Sequence, residues 1–321
     1  MNVLTLTNAA DAPFMTQQMA ALERRGVRFE TRCVAGNVSA DSPNESRGLR
    51  EYLSFFRTVR QEIDDGYDLI HAHYGLTAPM ALAQRQVPVV LSLWGSDVHG
   101  PVAPISRTCA PFCDAVIVMS PEMRDALGRE CRVVPDGVDL ELFTPGAQSL
   151  ARNRVGWPDE TYNVLFPYAP DRDVKNYPRA ERIVDAVDGT LDRPVALRTV
   201  SGVDHAEMRH YMNAADALLV TSHSEGSPNA VKEAMACNCP VVTTDVGDVR
   251  ERLADVSPSC VAPDDELLID GLAHVLESGQ RSNGRDAVRE VSLERTTDAI
   301  LEVYEDVTGL ERPAKPTVTS P

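Results

Sequence analysis

The chain has 321 residues, enough for two domains of ordinary size, and 43% of them are hydrophobic, so each domain can carry a core. Aromatic residues make up only 5%, which leaves those cores mainly to Val, Leu, Ala and Ile. A formal charge of −17 at pH 7 excludes nonspecific nucleic-acid binding, because phosphates are repelled over most of the surface, yet it leaves room for one local basic cleft.

Residues 3–7 form an apolar run that predicts a first strand, and Met1 and Asn2 before it supply no basic region of a secretory leader. Residues 14–25 place Met15, Met19 and Leu22 at helical spacing, and Gly26 ends that helix. A second strand follows at 27–34, a polar loop at 39–46 and a helix at 49–63. Strands at 68–72 and 87–93 flank a helix at 78–85. Two short strands, 115–119 and 131–135, enclose a helix at 121–129. The alternation breaks over 135–153, which is rich in Pro, Gly and Asp, and then begins again. The second round predicts strands at 163–166, 195–200, 217–221 and 241–244, with helices at 177–187, 208–214, 229–236 and 266–277. An amphipathic helix at 293–307 closes the pattern, and the tail from Glu311 to Pro321 has a disordered composition.

Apolar strands alternating with helices predict an α/β fold with parallel sheets covered on both faces. Two such rounds predict two doubly wound, Rossmann-like domains, 1–145 and 146–291, followed by a closing helix at 292–310 and a tail at 311–321. Ligands of such sheets bind beyond the carboxyl ends of the strands, so the expected site is the cleft between the domains.

No window approaches the roughly 18 apolar residues of a membrane span, and no basic amphipathic helix is evident, so a cytoplasmic protein is expected, peripheral at the inner membrane face at most. The seven cysteines contain no CxxC pair and no matching zinc set, which predicts free thiols in a reducing compartment. Only Lys175, Lys232 and Lys315 among the 31 basic residues are lysines. Acid-rich, lysine-poor composition reads as an intracellular protein of a salt-loving microbe; a GC-rich genome, which favours Arg codons, is the alternative.

The most informative segment follows the apolar run Ala217-Leu218-Leu219-Val220. It reads Ser222-His223-Ser224-Glu225-Gly226-Ser227-Pro228-Asn229 and passes into the helix former Ala230-Val231-Lys232-Glu233-Ala234-Met235-Ala236. Pro228 suits a helix start, Gly226 allows close approach of a ligand, and free N–H groups with the helix dipole favour an anion. Glu225 in the loop and Glu233 one turn inside the helix are too separated to form an acid/base pair across one glycosidic bond. They better suit one extended ligand gripped at two points. The structural alternative is a helix start with Glu225 favouring the dipole and Glu233 on a solvated face.

Glu225-x7-Glu233, with Gly226-Ser227-Pro228 inside it, resembles the donor-site motif of the family 4 (GT4) retaining glycosyltransferases, whose GT-B fold has two facing Rossmann-like domains. Pro240-Val241-Val242-Thr243-Thr244-Asp245-Val246-Gly247 is similar to the strand and loop that follow in that family. Val133-Val134-Pro135-Asp136-Gly137-Val138-Asp139, with Phe143 and Pro145, resembles its interdomain segment, and Asp68-Leu69-Ile70-His71-Ala72-His73 and Pro88 to Asp97 its first domain. The likeness spans about residues 65–255. It implies that Glu233 binds the ribose of the donor nucleotide, that Glu225 lies beside the transferred sugar, and that Gly226, Ser227, Pro228 and Asn229 contact sugar and diphosphate. Lys175, and with a shorter Arg–Lys spacing than usual Arg172, would neutralise the diphosphate leaving group. No metal or other cofactor is implied, since protein cations take that place; Asp171-Arg172-Asp173 has the letters of a metal motif but falls in the phosphate loop.

The first domain departs from the family more. Its first loop carries Asn8, Ala9 and Ala10 instead of a Gly-rich turn, and Trp94 stands where many members have His. Trp94 could stack on a sugar or pack in the core, and His73 could touch the acceptor or serve structure; with Asn8 and Asp97 these are the acceptor-side candidates. The resemblance implies a UDP- or GDP-sugar donor and a glycan, lipid-linked or small-molecule acceptor, with no nucleic-acid partner. A nucleotide-sugar 2-epimerase and a noncatalytic nucleotide-sugar or glycan-binding protein are the alternatives, with a glycoside hydrolase a distant third.

Overall fold

The computed structural model describes residues 1–35, 48–63 and 66–311. The loop expected at 39–46 and the tail beyond 311 lie outside the described residues. Two compact units are formed, one from Met1–Gly137 with the chain from Leu293 onward, the other from Val138–Ser292.

The first unit is built on six parallel strands, β1 (Asn2–Thr7), β2 (Arg28–Cys33), β3 (Leu69–His73), β4 (Val89–Leu93), β5 (Ala115–Val118) and β6 (Arg132–Val133), in the order β2-β1-β3-β4-β5-β6. β3 and β4 are buried throughout, as strands covered on both faces must be, whereas the edge strand β2 is polar and largely open. The closing helix, Leu293–Thr308, returns to this unit and sets Ile300, Leu301, Val303 and Tyr304 into its core. A side chain at Gly137 would meet the Leu293 backbone at 2.5 Å, so only glycine lets the outgoing and returning chain pass so closely.

The second unit has five parallel strands, β7 (Tyr162–Phe166), β8 (Val195–Thr199), β9 (Ala217–Val220), β10 (Val241–Thr243) and β11 (Ser259–Val261), ordered β11-β10-β9-β7-β8. Successive residues serve opposite faces: Leu165, Leu218, Val220 and Val241 join one core, and Val164, Phe166, Ala217, Leu219 and Val242 the other. In both units the order reverses beside the first strand. The topological switch points therefore lie at β1/β3 and β7/β9, where loops diverge and leave a crevice.

Several elements differ from the sequence expectation, among them helices Ala103–Cys109, Val249–Arg252 and Gly284–Val288, which it did not include. Helix Gln148–Val155 stands where a linker was expected; its Arg152 is buried and grips both carboxylate oxygens of Asp216 at 2.7 Å. The short edge strand β11 carries too few apolar residues to announce itself. The helix expected at 78–85 stops at Ala81. Among the described residues no helix is long and apolar enough to cross a membrane.

Candidate active site

Two loops leave the second unit's switch point. The loop after β7 makes one 3-10 turn, Asp173–Lys175, and ends at Asn176, whose φ of 54° is left-handed. The loop after β9 runs to Pro228, and helix Asn229–Ala236 begins immediately after that proline. Backbone and hydroxyl groups stitch the loops together. The His223 N–H donates to the Val174 carbonyl at 2.9 Å, and the Thr221 hydroxyl lies 3.0 Å from the carbonyls of both Lys175 and Asn176.

That stitching fixes Lys175, which is only 6% exposed. Its Nζ lies 2.5 Å from Glu225 Oε1 and 4.0 Å above the Tyr168 ring. The same Glu225 oxygen accepts from Ser222 Oγ at 2.6 Å. Burial pushes the Lys175 ammonium below the usual lysine range, Glu225 works against the shift, and Arg172 adds to it. Arg172 is half-buried on the same loop, and its carbonyl accepts from the Lys175 N–H at 2.8 Å. Burial, then Glu225 and Glu233, push the Tyr168 phenol well above its ordinary value.

Glu233 sits one turn into helix Asn229–Ala236 and is buried, with His205 Nε2 2.7 Å from its Oε1. Burial lowers the proton affinity of His205, but the carboxylates of Glu233, Asp204 and Asp139 outweigh it, and the net shift is upward. The Ser227 hydroxyl bridges Asp248 Oδ2 at 2.9 Å and Lys232 Nζ at 3.1 Å, and Arg252 completes the group through Asp248. Gly226 and Pro228 are buried and Asn229 half-buried at the helix start.

In the first unit, His73 ends β3 with its ring stacked on Trp94, centroids 5.7 Å apart, and Trp94 also contacts Phe14 at 4.7 Å. Trp94 is thus half-buried and packs against the core. Neighbouring His71 is bonded through Nδ1 to Tyr304 and through Nε2 to Ser92, whereas His73 Nδ1 is buried without a hydrogen bond. Burial pushes His73 down to about 3. Asp97 is fully buried, and its carboxylate accepts from the backbone of Trp94, Gly95 and Gly75 at 2.8, 3.0 and 3.1 Å, bracing two loops. Asn8 is half-buried in the turn after β1.

The structure therefore brings Lys175 to Glu225 directly, with Arg172, Tyr168 and Glu233 close enough to feel one another's charge. His205, Tyr168 and Asp248 were not foreseen. Nothing local in the sequence marks them, because each reaches the site from a different loop. Lys232 carried one signal, the scarcity of lysine. Among the described residues no three His, Cys, Asp or Glu side chains gather as a metal-ligand set.

The chain is similar to known proteins in sequence and in fold. A family model described as Glycosyltransferase Family 4 matches residues 15–142, and one described as Glycosyl transferases group 1 matches residues 178–278. The D-inositol 3-phosphate glycosyltransferase of Xylanimonas cellulosilytica is 28% identical over 310 aligned residues, covering 78% of this chain and 74% of that protein. Sucrose-phosphate synthase from Thermosynechococcus elongatus superposes with a TM-score of 0.73 at 18% identity, over 96% of this chain and 100% of that one. Anabaena HepE, solved in complex with UDP-glucose, gives a TM-score of 0.71 at 16% identity, over 95% of this chain and 100% of its own.

Proposed function

We propose that this chain, which belongs to glycosyltransferase family 4 and has the GT-B fold, moves a sugar from a nucleotide-diphosphate-sugar donor to a glycan, lipid-linked or small-molecule acceptor, with retention and without a metal. The observation that carries the reading is the pairing of buried Lys175 with half-buried Glu225 beyond the carboxyl ends of β7 and β9, beside the start of helix Asn229–Ala236. The UDP-glucose bound to HepE supports a uridine donor.

The diphosphate takes up negative charge as its bond to the anomeric carbon breaks, and fixed cations in a water-poor site stabilise it with little reorganisation. Lys175 supplies one such cation and Arg172 a second. Glu225, already held by Ser222, accepts from hydroxyls of the transferred sugar, while Glu233 accepts from the ribose. The backbone of Gly226, Ser227, Pro228 and Asn229 cradles the phosphates at the helix start. The acceptor attacks on the face the leaving group vacates, which retains configuration. In the first unit His73 and Asn8 contact the acceptor, and Trp94 and Asp97 shape the loop around them. The protein acts in the cytoplasm, attached to a membrane peripherally at most.

A thermal-shift series with UDP, GDP and their sugars, at low and high salt and with EDTA, tests this. Stabilisation by one nucleotide class, indifferent to EDTA, is expected. Donor hydrolysis should release the sugar first as the anomer present in the donor. No stabilisation by any nucleotide defeats the reading, and a donor epimer formed without acceptor replaces it with an epimerase.

A further inference from the structure

We infer that His205 is a positioning residue for the donor's ribose, holding the Glu233 carboxylate by one oxygen so that the other meets the sugar hydroxyls. The inference rests on the reading of Glu233 as the ribose-binding group. A carboxylate that is 8% exposed requires a hydrogen-bond partner, and among the described residues the side chain bonded to Glu233 is His205, with 2.7 Å between Nε2 and Oε1. Oε2 makes no hydrogen bond among the described residues.

The histidine is itself held. It opens a single 3-10 turn, His205–Glu207, on the connection between β8 and helix Met208–Ala214. Asp204 caps that turn: its side chain accepts from the Ala206 N–H and its carbonyl from the Glu207 N–H, each at 2.9 Å. Phe143 meets the imidazole edge-on with centroids 5.3 Å apart. A ring fixed on two sides and bonded to one carboxylate oxygen removes most of the rotation open to the Glu233 side chain. Preorganisation of this kind improves affinity by lowering the ordering cost of binding, and it need not alter the chemical step. A purely structural histidine would instead stabilise the fold without regard to what the ribose carries.

The two roles separate in titration calorimetry of the full chain with UDP and GDP and with their 2′,3′-dideoxy forms, on the wild type and on His205→Ala, His205→Gln and Glu233→Gln. His205→Ala should weaken the ribonucleotide about tenfold and leave the dideoxy form, which has no hydroxyls to offer, within about twofold. His205→Gln, whose amide can donate from a similar reach, should restore most of the loss. In turnover the alanine variant should raise the donor KM with kcat nearly unchanged. Equal weakening of both nucleotide forms, or no weakening of the ribonucleotide, overturns the role of His205. An unchanged ribonucleotide affinity in Glu233→Gln, or no binding of either ribonucleotide to the wild type, overturns the donor-site reading itself.

Discussion

Lys175 keeps an ammonium group where water barely reaches it, and that places its chemistry under two opposing forces. Burial disfavours the charged form, the Glu225 carboxylate at 2.5 Å favours it, and the net shift is downward. Only the protonated side chain can neutralise a diphosphate. As pH rises through the lowered value the charge is lost, so kcat/KM, which reports the free enzyme, should fall at a pH below the ordinary lysine range near 10.4. Lys175→Arg keeps its charge throughout, and its remaining activity should lack that alkaline limb; a limb unchanged in the arginine variant would assign it to another group. In the sequence Lys175 is singled out by the resemblance of its loop to the family's phosphate loop, and the scarcity of lysine in this chain supports that choice. His205 could not be found there, since its meaning depends on a carboxylate 28 residues away that only the fold brings to it.

At the scale of elements, the proposed donor cradle is a loop pressed from behind by another loop. Gly247 has a φ of 59°, and a Cβ there would lie 2.3 Å from the Gly226 carbonyl oxygen and 3.0 Å from that of Glu225. Backbone cannot swing aside as a flexible side chain would, so Gly247→Ala must displace the Glu225–Gly226 segment and adopt an unfavourable conformation as well. The expected result is a loss of about 1–3 kcal/mol in denaturant unfolding, together with weaker nucleotide binding. Normal binding at lowered stability would show that the cradle does not depend on this contact. Helices and strands with strong periodicity, such as Leu49–Glu62 and Ala217–Val220, are legible in the sequence within a residue or two. Helix Gln148–Val155 is not, because its buried side includes Arg152, whose partner Asp216 lies 64 positions on. At the first unit's loops Asp97 accepts from the backbone of Trp94 and Gly95, and Trp94 packs against the core, which is the structural one of the two roles the sequence left open for it.

Across the whole molecule, the order of the first five strands occurs twice, with a sixth strand added in the first unit, and the sequence announces that repetition through two rounds of strand–helix alternation. The charge is a different matter, since 48 acidic residues face 31 basic ones with little neutralisation from the seven histidines near pH 7. Surface pairs such as Arg132 with Asp306 compensate locally, but exposed pairs contribute little and leave a net negative field. That field opposes the compact state and would also oppose the approach of the proposed anionic donor to Lys175. Screening weakens both effects, and the Debye length shrinks from about 10 Å at 0.1 M salt to about 3 Å at 1 M. The apparent Tm should therefore rise by several degrees as KCl is raised, with most of the gain below about 1 M, where screening becomes nearly complete. A steady rise that continues linearly to higher salt would point instead to exclusion of salt from the protein surface. A flat or falling Tm would show that self-repulsion does not limit this fold, and would remove the physical basis for reading its acidity as an adaptation to a saline cytoplasm.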